Sequence, residues 1–421
     1  VGSEMCIRDS FTAEAIAPDI QPVVNSDELV DINWPLEEIA SDQFQIAGGW
    51  GGGTFVGSVG VTLNNLSIKN FFKKGAWRPY PMGQNQRLSI SAQTNGTYYK
   101  AFAISFTDPW MGGRKPNSFT ISAHYSDENN AYYAWQKGTR YFRTAGVAAG
   151  LGKRLDWPDP YFTFYAEASY ERYMLKDWNT FVLKNGAANL LSIRLVLGRN
   201  SVDQPIYPRR GSDFSVSVQL TPPYSLWDGK DYKSTALSEQ ERYNWIEFHK
   251  WMLKGQWFTP LTRNGNLVLM ARAEMGYLGH YNKNKVSPFE RFEVGGDGMT
   301  GYNMYGIDII SMRGYDDGAL DPVGSNYSCA YNKYTMELRY PLLLKGQTNI
   351  YVLGFLEGGN GFTSWKEFSP FKIKRSAGIG VRLFLPVVGM VGVDWGWGFD
   401  PAAGQTKRSG SHIHFTMGMQ F

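Results

Sequence analysis

From Gln43 to the end of the chain, apolar and polar residues alternate in short runs separated by turns. Over residues 213–220, Phe214, Val216, Val218 and Leu220 fall on one side, and Asp213, Ser215, Ser217 and Gln219 on the other. Successive side chains of an extended chain point to opposite faces, so this pattern predicts a strand with one apolar and one polar face. Leu88, Ile90 and Ala92 repeat it, as do Phe119, Ile121, Ala123 and Tyr125, then Leu191, Ile193, Leu195 and Leu197, and Tyr334, Met336, Leu338 and Tyr340. The last run sets Ile413, Phe415, Met417, Met419 and Phe421 against His412, His414, Thr416, Gly418 and Gln420.

About sixteen such segments are present, with cores beginning near Phe44, Phe55, Arg87, Tyr98, Asn117, Arg143, Tyr161, Leu190, Gly211, Tyr243, Asn266, Lys333, Thr348, Ser376, Gly389 and Ser411. Many approach the roughly 9–11 residues with which a tilted strand crosses a bilayer. The pattern predicts an all-β protein, a transmembrane antiparallel β-barrel of about 16 strands over residues 43–421. Closure removes the unpaired strand edges that lipid cannot hydrate. A soluble sandwich or propeller shares the alternation. The strands here are long, however, many apolar faces end in Tyr, Trp or Phe, and no domain break interrupts them.

Composition supports the membrane reading. Hydrophobic residues make up 43% of the 421, yet no apolar run reaches the about 20 residues of a membrane helix. Aromatics reach 15% and glycines number 47, which suits interfacial girdles and tight turns. A net charge of +4 with both signs scattered implies no nucleic-acid footprint. Cys6 and Cys329 supply neither a disulfide framework nor a metal site.

Three stretches depart from the rhythm. Residues 1–10, VGSEMCIRDS, join awkwardly to the residues after them and read as extraneous to the fold. Residues 11–42 hold the short alternating run Val30, Ile32, Trp34, Leu36 among carboxylates, and read as the end of a soluble domain leading into the barrel. Between two good strands, residues from about 281 to 332 form a long loop containing GGDGMTGYN and IDIISMRGYDDGALDP. A loop of that length is usually functional.

Catalytic signatures fail. There is no nucleophile elbow and no HExxH, and GVAAGLGKR reads as a glycine-bearing strand entering a basic turn rather than a phosphate loop. His412 and His414 share a strand face but lack a third ligand, which favours lumen-facing or periplasm-facing histidines over a metal site. Asp316 and Asp317 precede Gly318 as turn residues do. We expect no enzyme activity, no metal and no cofactor.

The informative motif is Met312-Arg313-Gly314-Tyr315, followed by Asp316, in the long loop. The Arg-Gly-aromatic core, the loop and its place before the fifth strand from the end resemble the BamA/Sam/Toc superfamily of outer-membrane barrels, which also contains two-partner-secretion transporters. The resemblance implies that the extracellular loop folds back into the lumen before strand 12. It implies too that Arg313 meets an acidic residue in an aromatic-x-acid-x-Gly pattern. That pattern stands here as Phe355-Leu356-Glu357-Gly358-Gly359, with Glu where Asp is more usual. MELRYPL resembles the strand that follows the loop and places Glu337 and Arg339 inward. The physical sense is independent of the family: an arginine inside a walled lumen is poorly hydrated and needs a charged partner, which an aromatic face can assist.

A second constellation lies where the two chain ends would meet. The first strand, QFQIAGGWGGG, carries Gly48, Gly49, Gly51, Gly52 and Gly53. Glycine weakens a strand by entropy and lost packing, although Gly51 to Gly53 also suit a tight hairpin. The last strand ends on the aromatic Phe421, as outer-membrane barrels do, with Met417 and Met419 before it. These residues form the expected lateral seam. VDINWPLEEI running into SDQFQIAGGWGG is similar to the last strand of a final POTRA domain passing into strand one, so residues 11–42 are identified with that domain's end and linker. FVGSVGVTLNNL and SFTDPWMGG extend the resemblance, which covers the chain from about residue 20.

The resemblance implies an outer-membrane insertase that folds other β-barrel clients into lipid without cofactor. It would act with accessory lipoproteins and periplasmic chaperones, through a seam that opens sideways. A secretion pore of the same superfamily is the alternative, and a passive porin or an outer-membrane hydrolase would be of another class. A porin would lack the Arg-Gly-aromatic motif, and a hydrolase needs a carboxylate or Ser/His cluster near the rim that is not evident here.

Overall fold

The computed structural model describes residues 19–22, 30–33, 42–51, 54–77, 80–95, 98–113, 115–131, 138–298, 306–324, 327–345, 348–385 and 389–417. Sixteen strands form one sheet. They are β1 (Gln43–Gly51), β2 (Thr54–Leu66), β3 (Gln86–Asn95), β4 (Tyr99–Asp108), β5 (Asn117–Asn129) and β6 (Tyr141–Arg154). Next come β7 (Phe162–Lys176), β8 (Gly186–Asn200), β9 (Gly211–Leu220), β10 (His249–Pro260) and β11 (Val268–Gly279). The last are β12 (Ala330–Lys345), β13 (Thr348–Phe362), β14 (Lys374–Leu385), β15 (Gly389–Pro401) and β16 (Arg408–Met417). Each strand pairs antiparallel with its sequence neighbour, from β1 at one end to β16 at the other. The all-β expectation therefore holds, and the long loop falls between β11 and β12 as expected.

The alternation sets the two faces. On β15 Val393, Trp395, Trp397 and Phe399 are exposed, while Met390, Gly392, Asp394, Gly396 and Gly398 are buried. On β12 Met336, Leu338 and Tyr340 point out, and Thr335, Glu337 and Arg339 are buried. Apolar outside and polar inside is the inverse of a soluble protein and the arrangement lipid requires. One strand start differs from expectation. Residues 239–243 form a one-turn helix, and β10 begins at His249 rather than near Tyr243. Ser238 caps that helix through the Glu241 amide, and the Glu241 carboxylate returns to the Ser238 amide. This local capping box makes a helical turn where a strand was expected to begin.

The two ends of the sheet differ in their connections. At one end lie the long segments 130–140, 221–248, 280–329 and 363–373. At the other, connections such as 155–161, 261–267 and 346–347 are short, with 67–85 the exception. Short periplasmic turns and long extracellular loops orient the barrel. Near the chain's start, Asp19–Pro22 pairs antiparallel with Val30–Asn33.

Candidate functional site

The β11–β12 loop folds into the bore. Its segments Phe292–Val294 and Asp308–Ile310 pair in parallel, and Gly296 bridges to Met312. Phe289, Phe292, Val294, Ile310, Met312, Tyr315 and Leu320 of the loop are buried in one cluster with Phe142 of β6, Tyr173 of β7, Leu190 of β8 and Tyr331 of β12. Contacts with strands from β6 to β16 show that the sheet curls around the loop. The loop is the largest single contributor to this apolar core, and strand residues and the neighbouring connections supply the rest.

At the loop tip Arg313 is buried. Its Nη2 donates to Glu337 Oε1 and to Glu357 Oε1, both at 2.7 Å, and Nε donates to Glu357 Oε1 at 3.0 Å. The backbone N–H of Arg313 donates to Glu357 Oε2 at 2.8 Å. The guanidinium carbon lies 3.7 Å from the centroid of the Phe355 ring. Glu337 sits on β12, and Phe355 and Glu357 sit on β13, so one loop residue ties two neighbouring strands together. The planar fork meets these two carboxylates in a fixed geometry while its face lies on the Phe355 ring, which a lysine's point charge cannot reproduce.

The network runs through Arg339, read as inward from the sequence, and on to Arg382 and Asp394, which were not. Arg339 donates to Glu337 Oε2 at 2.8 Å, and Arg382 on β14 holds Asp394 on β15 through bonds of 2.8 and 2.7 Å. Arg313 Nη1 lies 3.6 Å from Asp394 Oδ1 without a hydrogen bond. Four strands thus carry alternating charges toward one loop arginine.

Gly314 has φ +87°, a conformation glycine adopts freely. Its N–H donates to His414 Nε2 on β16 at 2.8 Å, so that nitrogen is the unprotonated one. Space for the turn comes from the wall: a Cβ at Gly396 would stand 2.8 Å from Gly314 N, and one at Gly398 2.4 Å from Gly314 O. Tyr315 is buried and donates to Arg375 O at 2.9 Å. Asp316 is exposed, with Oδ1 3.2 Å from His412 Nδ1. Both histidines thus face the loop. Among the described residues, no cluster of three or more His, Cys, Asp or Glu could hold a metal.

Two further anchors escaped the sequence reading. Lys250 on β10 reaches Asp308 Oδ2 at 2.7 Å and Glu290 Oε2 at 3.4 Å, while Tyr173 donates to Glu290 Oε1 at 3.0 Å. From the periplasmic end the β8–β9 turn sends Tyr207 into the bore. Its hydroxyl donates to Arg339 O at 3.0 Å and its ring meets Tyr351 edge-on at 5.2 Å. The signals for both were weak: one lysine at an inward position, and one aromatic in a short turn.

The seam residues are partly visible. Gly48 and Gly49 pair with Gly57 and Val56 of β2, and Gly51 with Thr54. Met417 pairs with Val391 of β15. Among the described residues β1 has ladder partners on β2 alone, and β16 on β15 alone. Met419 and Phe421 lie outside the described residues.

The loop carries a titrating group of its own. Burial pushes the Asp321 carboxyl up to about 8, against hydrogen bonds from Ser328 and Val294 that favour its charged form. The folded protein therefore holds this proton more tightly than the unfolded chain. The stabilisation is complete below the ordinary carboxylate range near 4 and is lost as pH rises through about 8. Hydrogen exchange of residues 290–324 is expected to accelerate between pH 5 and pH 9, after correction for intrinsic rates. Asp321→Asn should flatten that profile, and identical profiles would exclude Asp321 as its source.

A lipid-facing β-barrel whose bore is filled by its own extracellular loop defines a class of outer-membrane protein. Residues 82–421 match the Omp85 superfamily domain. The chain is 23% identical over 343 residues to the outer membrane protein assembly factor BamA of Neisseria meningitidis, covering 76% of this chain and 35% of that protein. It thus spans about a third of that relative. The crystal structure of BamA from Haemophilus ducreyi lacking POTRA domains 1–3 is similar with a TM-score of 0.61 at 17% identity, covering 98% of this chain and 76% of that one. CdiB from Escherichia coli is similar at 0.55 and 12%, covering 96% and 67%. The chain belongs to the Omp85 superfamily. It is an integral outer-membrane barrel, which also gives the strand directions above their sidedness.

Proposed function

We propose that this barrel inserts and folds other β-barrel proteins into the outer membrane by templating client strands on the edge of β1. The observation that carries the proposal is that edge: a glycine-rich strand whose second side has no ladder partner among the described residues. An exposed strand edge recruits another strand by backbone hydrogen bonding. In lipid the drive is stronger, since unpaired N–H and C=O groups find no water. Client hairpins add in turn, burying apolar faces in the bilayer, until the new barrel closes and departs. The filled bore favours a sideways route over an axial one. Residues 312–315 brace the wall with Glu337 and Glu357, so that the seam between β1 and β16, at Gly48, Gly49, Gly51, Met417, Met419 and Phe421, is where the barrel yields. Residues 11–42 are the end of a POTRA domain on this reading, and the partners are unfolded clients delivered with chaperones and accessory lipoproteins.

The test is a disulfide between Gly48→Cys and Met417→Cys in a full-length protein whose other cysteines are serine. The oxidised protein in liposomes should fold no client barrel, and reduction should restore folding. Normal client folding in the oxidised state would exclude the seam. Loss of export of one soluble partner, with client barrels unaffected, would move the protein to the secretion branch.

A further inference from the structure

The connection between β2 and β3, residues 67–85, is an outlier at the short-turn end of the barrel; the next longest there is 201–210. Its sequence, SIKNFFKKGAW at the start, mixes aromatic and basic residues. Ile68, Phe71, Phe72 and Trp77 are exposed, Phe72 to 92%. Lys69, Lys73 and Lys74 are exposed among them, and no described carboxylate forms an ion pair with any of the three. An exposed aromatic on a loose turn would mean little. Here the backbone is pinned. Ser67 N–H donates to Pro81 O at 2.8 Å, Ile68 N–H to Gln86 Oε1 at 2.8 Å, and Asn70 Nδ2 to Met82 O at 3.0 Å. Trp77 Nε1 donates to Phe71 O at 3.0 Å, and the Phe71 ring packs edge-on against Phe72 at 5.3 Å and Trp77 at 5.1 Å. The apolar cluster is therefore held open to its surroundings by a folded scaffold.

Above it, Val59, Val61 and Leu63 of β2 lie opposite Ala92, Ile90 and Leu88 of β3 on the lipid face. The cluster follows directly in the chain from the periplasmic end of that strip. Aromatic rings seek the headgroup level of a bilayer, and lysines beside them attract anionic lipid at about fivefold in affinity for each charge near the surface. We propose that residues 68–77 form an interfacial anchor that inserts Phe72 and Trp77 into the periplasmic leaflet and gathers anionic phospholipid headgroups through Lys69, Lys73 and Lys74. The anchor fixes the depth of β2, and so of β1 beside it, whatever passes through the seam. It rests on the membrane placement of the barrel and not on the insertase reading.

The test places a nitroxide at Phe72→Cys, in a chain carrying Cys6→Ser and Cys329→Ser, reconstituted in phosphatidylethanolamine vesicles with phosphatidylglycerol. The label should be relaxed by oxygen more than by a water-soluble nickel chelate, at headgroup depth. Full access to the chelate would overturn the anchor. Shelter from both relaxants would also overturn it, by showing a protein cover. In the otherwise unaltered chain, Lys69→Gln, Lys73→Gln and Lys74→Gln together should lower the preference for spin-labelled phosphatidylglycerol over phosphatidylcholine. Heat-modifiability on gels confirms that this variant is folded, and an unchanged preference in the folded variant would overturn the headgroup role.

Discussion

Replacing Arg313 by alanine is expected to destabilise the barrel by about 3 kcal/mol, at the lower end of what breaking a buried charge pair costs. The lower end follows from the wiring. Glu337 keeps Arg339, and Asp394 keeps Arg382. Glu357 retains the residue-313 backbone N–H and the Thr335 hydroxyl at 3.2 Å but loses the arginine's side-chain bonds, with Lys333 the nearest remaining cation at 4.0 Å. The penalty therefore concentrates on one carboxylate. Urea titration of the folded form should show the loss, and Arg313→Ala combined with Glu357→Gln should recover part of it. Strict additivity of the two substitutions would mean that the pair does not act as a unit. Arg313→Lys should recover little, because one ammonium cannot reproduce the fork across Glu337 and Glu357. The single variant should still migrate as a folded barrel yet fail to fold clients in liposomes. Unimpaired client folding would remove the loop from the mechanism.

The expected loss of function without unfolding follows from where the contacts fall. Arg313 ties β12 to β13, and Gly314 binds His414 on β16. The loop tip thus stiffens the wall from β12 to β16, while β1 has ladder partners only on β2 among the described residues. A stiff wall beside a weakly held edge confines opening to one place. Releasing the tip would let the strain of opening spread along β13 to β16, where neighbouring strands are already paired and cannot accept a client strand.

Strand positions were legible in the sequence because a one-residue slip reverses every side chain, so the lipid-facing pattern admits one register. The start of β10 was misplaced because a capping box is a local device that hydrophobic alternation does not reveal. The loop arginine and Glu357 were legible only through resemblance. Nothing in the spacing of residues 313 and 357 brings them together without the loop's inward path. Asp394 and Arg382 were missed for the same reason, since Asp394 nears Arg313 across a long sequence separation and Arg382 joins the network through it; His414 was read as facing the lumen or periplasm, without its partner. Gly396 and Gly398 were missed for a different reason. Glycine counts as neither apolar nor polar in an alternating pattern, so a wall hollowed to admit a backbone reads as weak strand.

That hollow gives the second large effect. Gly398→Ala should expel the loop tip although it changes no charge. Its Cβ would stand 2.4 Å from Gly314 O, a backbone atom held by the bond from Gly314 N–H to His414 and by the salt bridges of Arg313. Neither β15, laddered on both sides, nor the loop can move without breaking one of these. Overpacking of this kind costs about 1–3 kcal/mol, and here it also forfeits the arginine's bonds. Gly398→Ala should therefore reproduce Arg313→Ala in both readouts: a lower urea midpoint and loss of client folding. The control is Gly354→Ala on β13, where the nearest atom to a new Cβ is Gly378 O at 3.9 Å. It adds the same methyl to the same sheet at ordinary contact distance and should leave both unchanged. Equal behaviour of the two alanine variants would mean that the loop's seat against β15 does not govern the barrel's function.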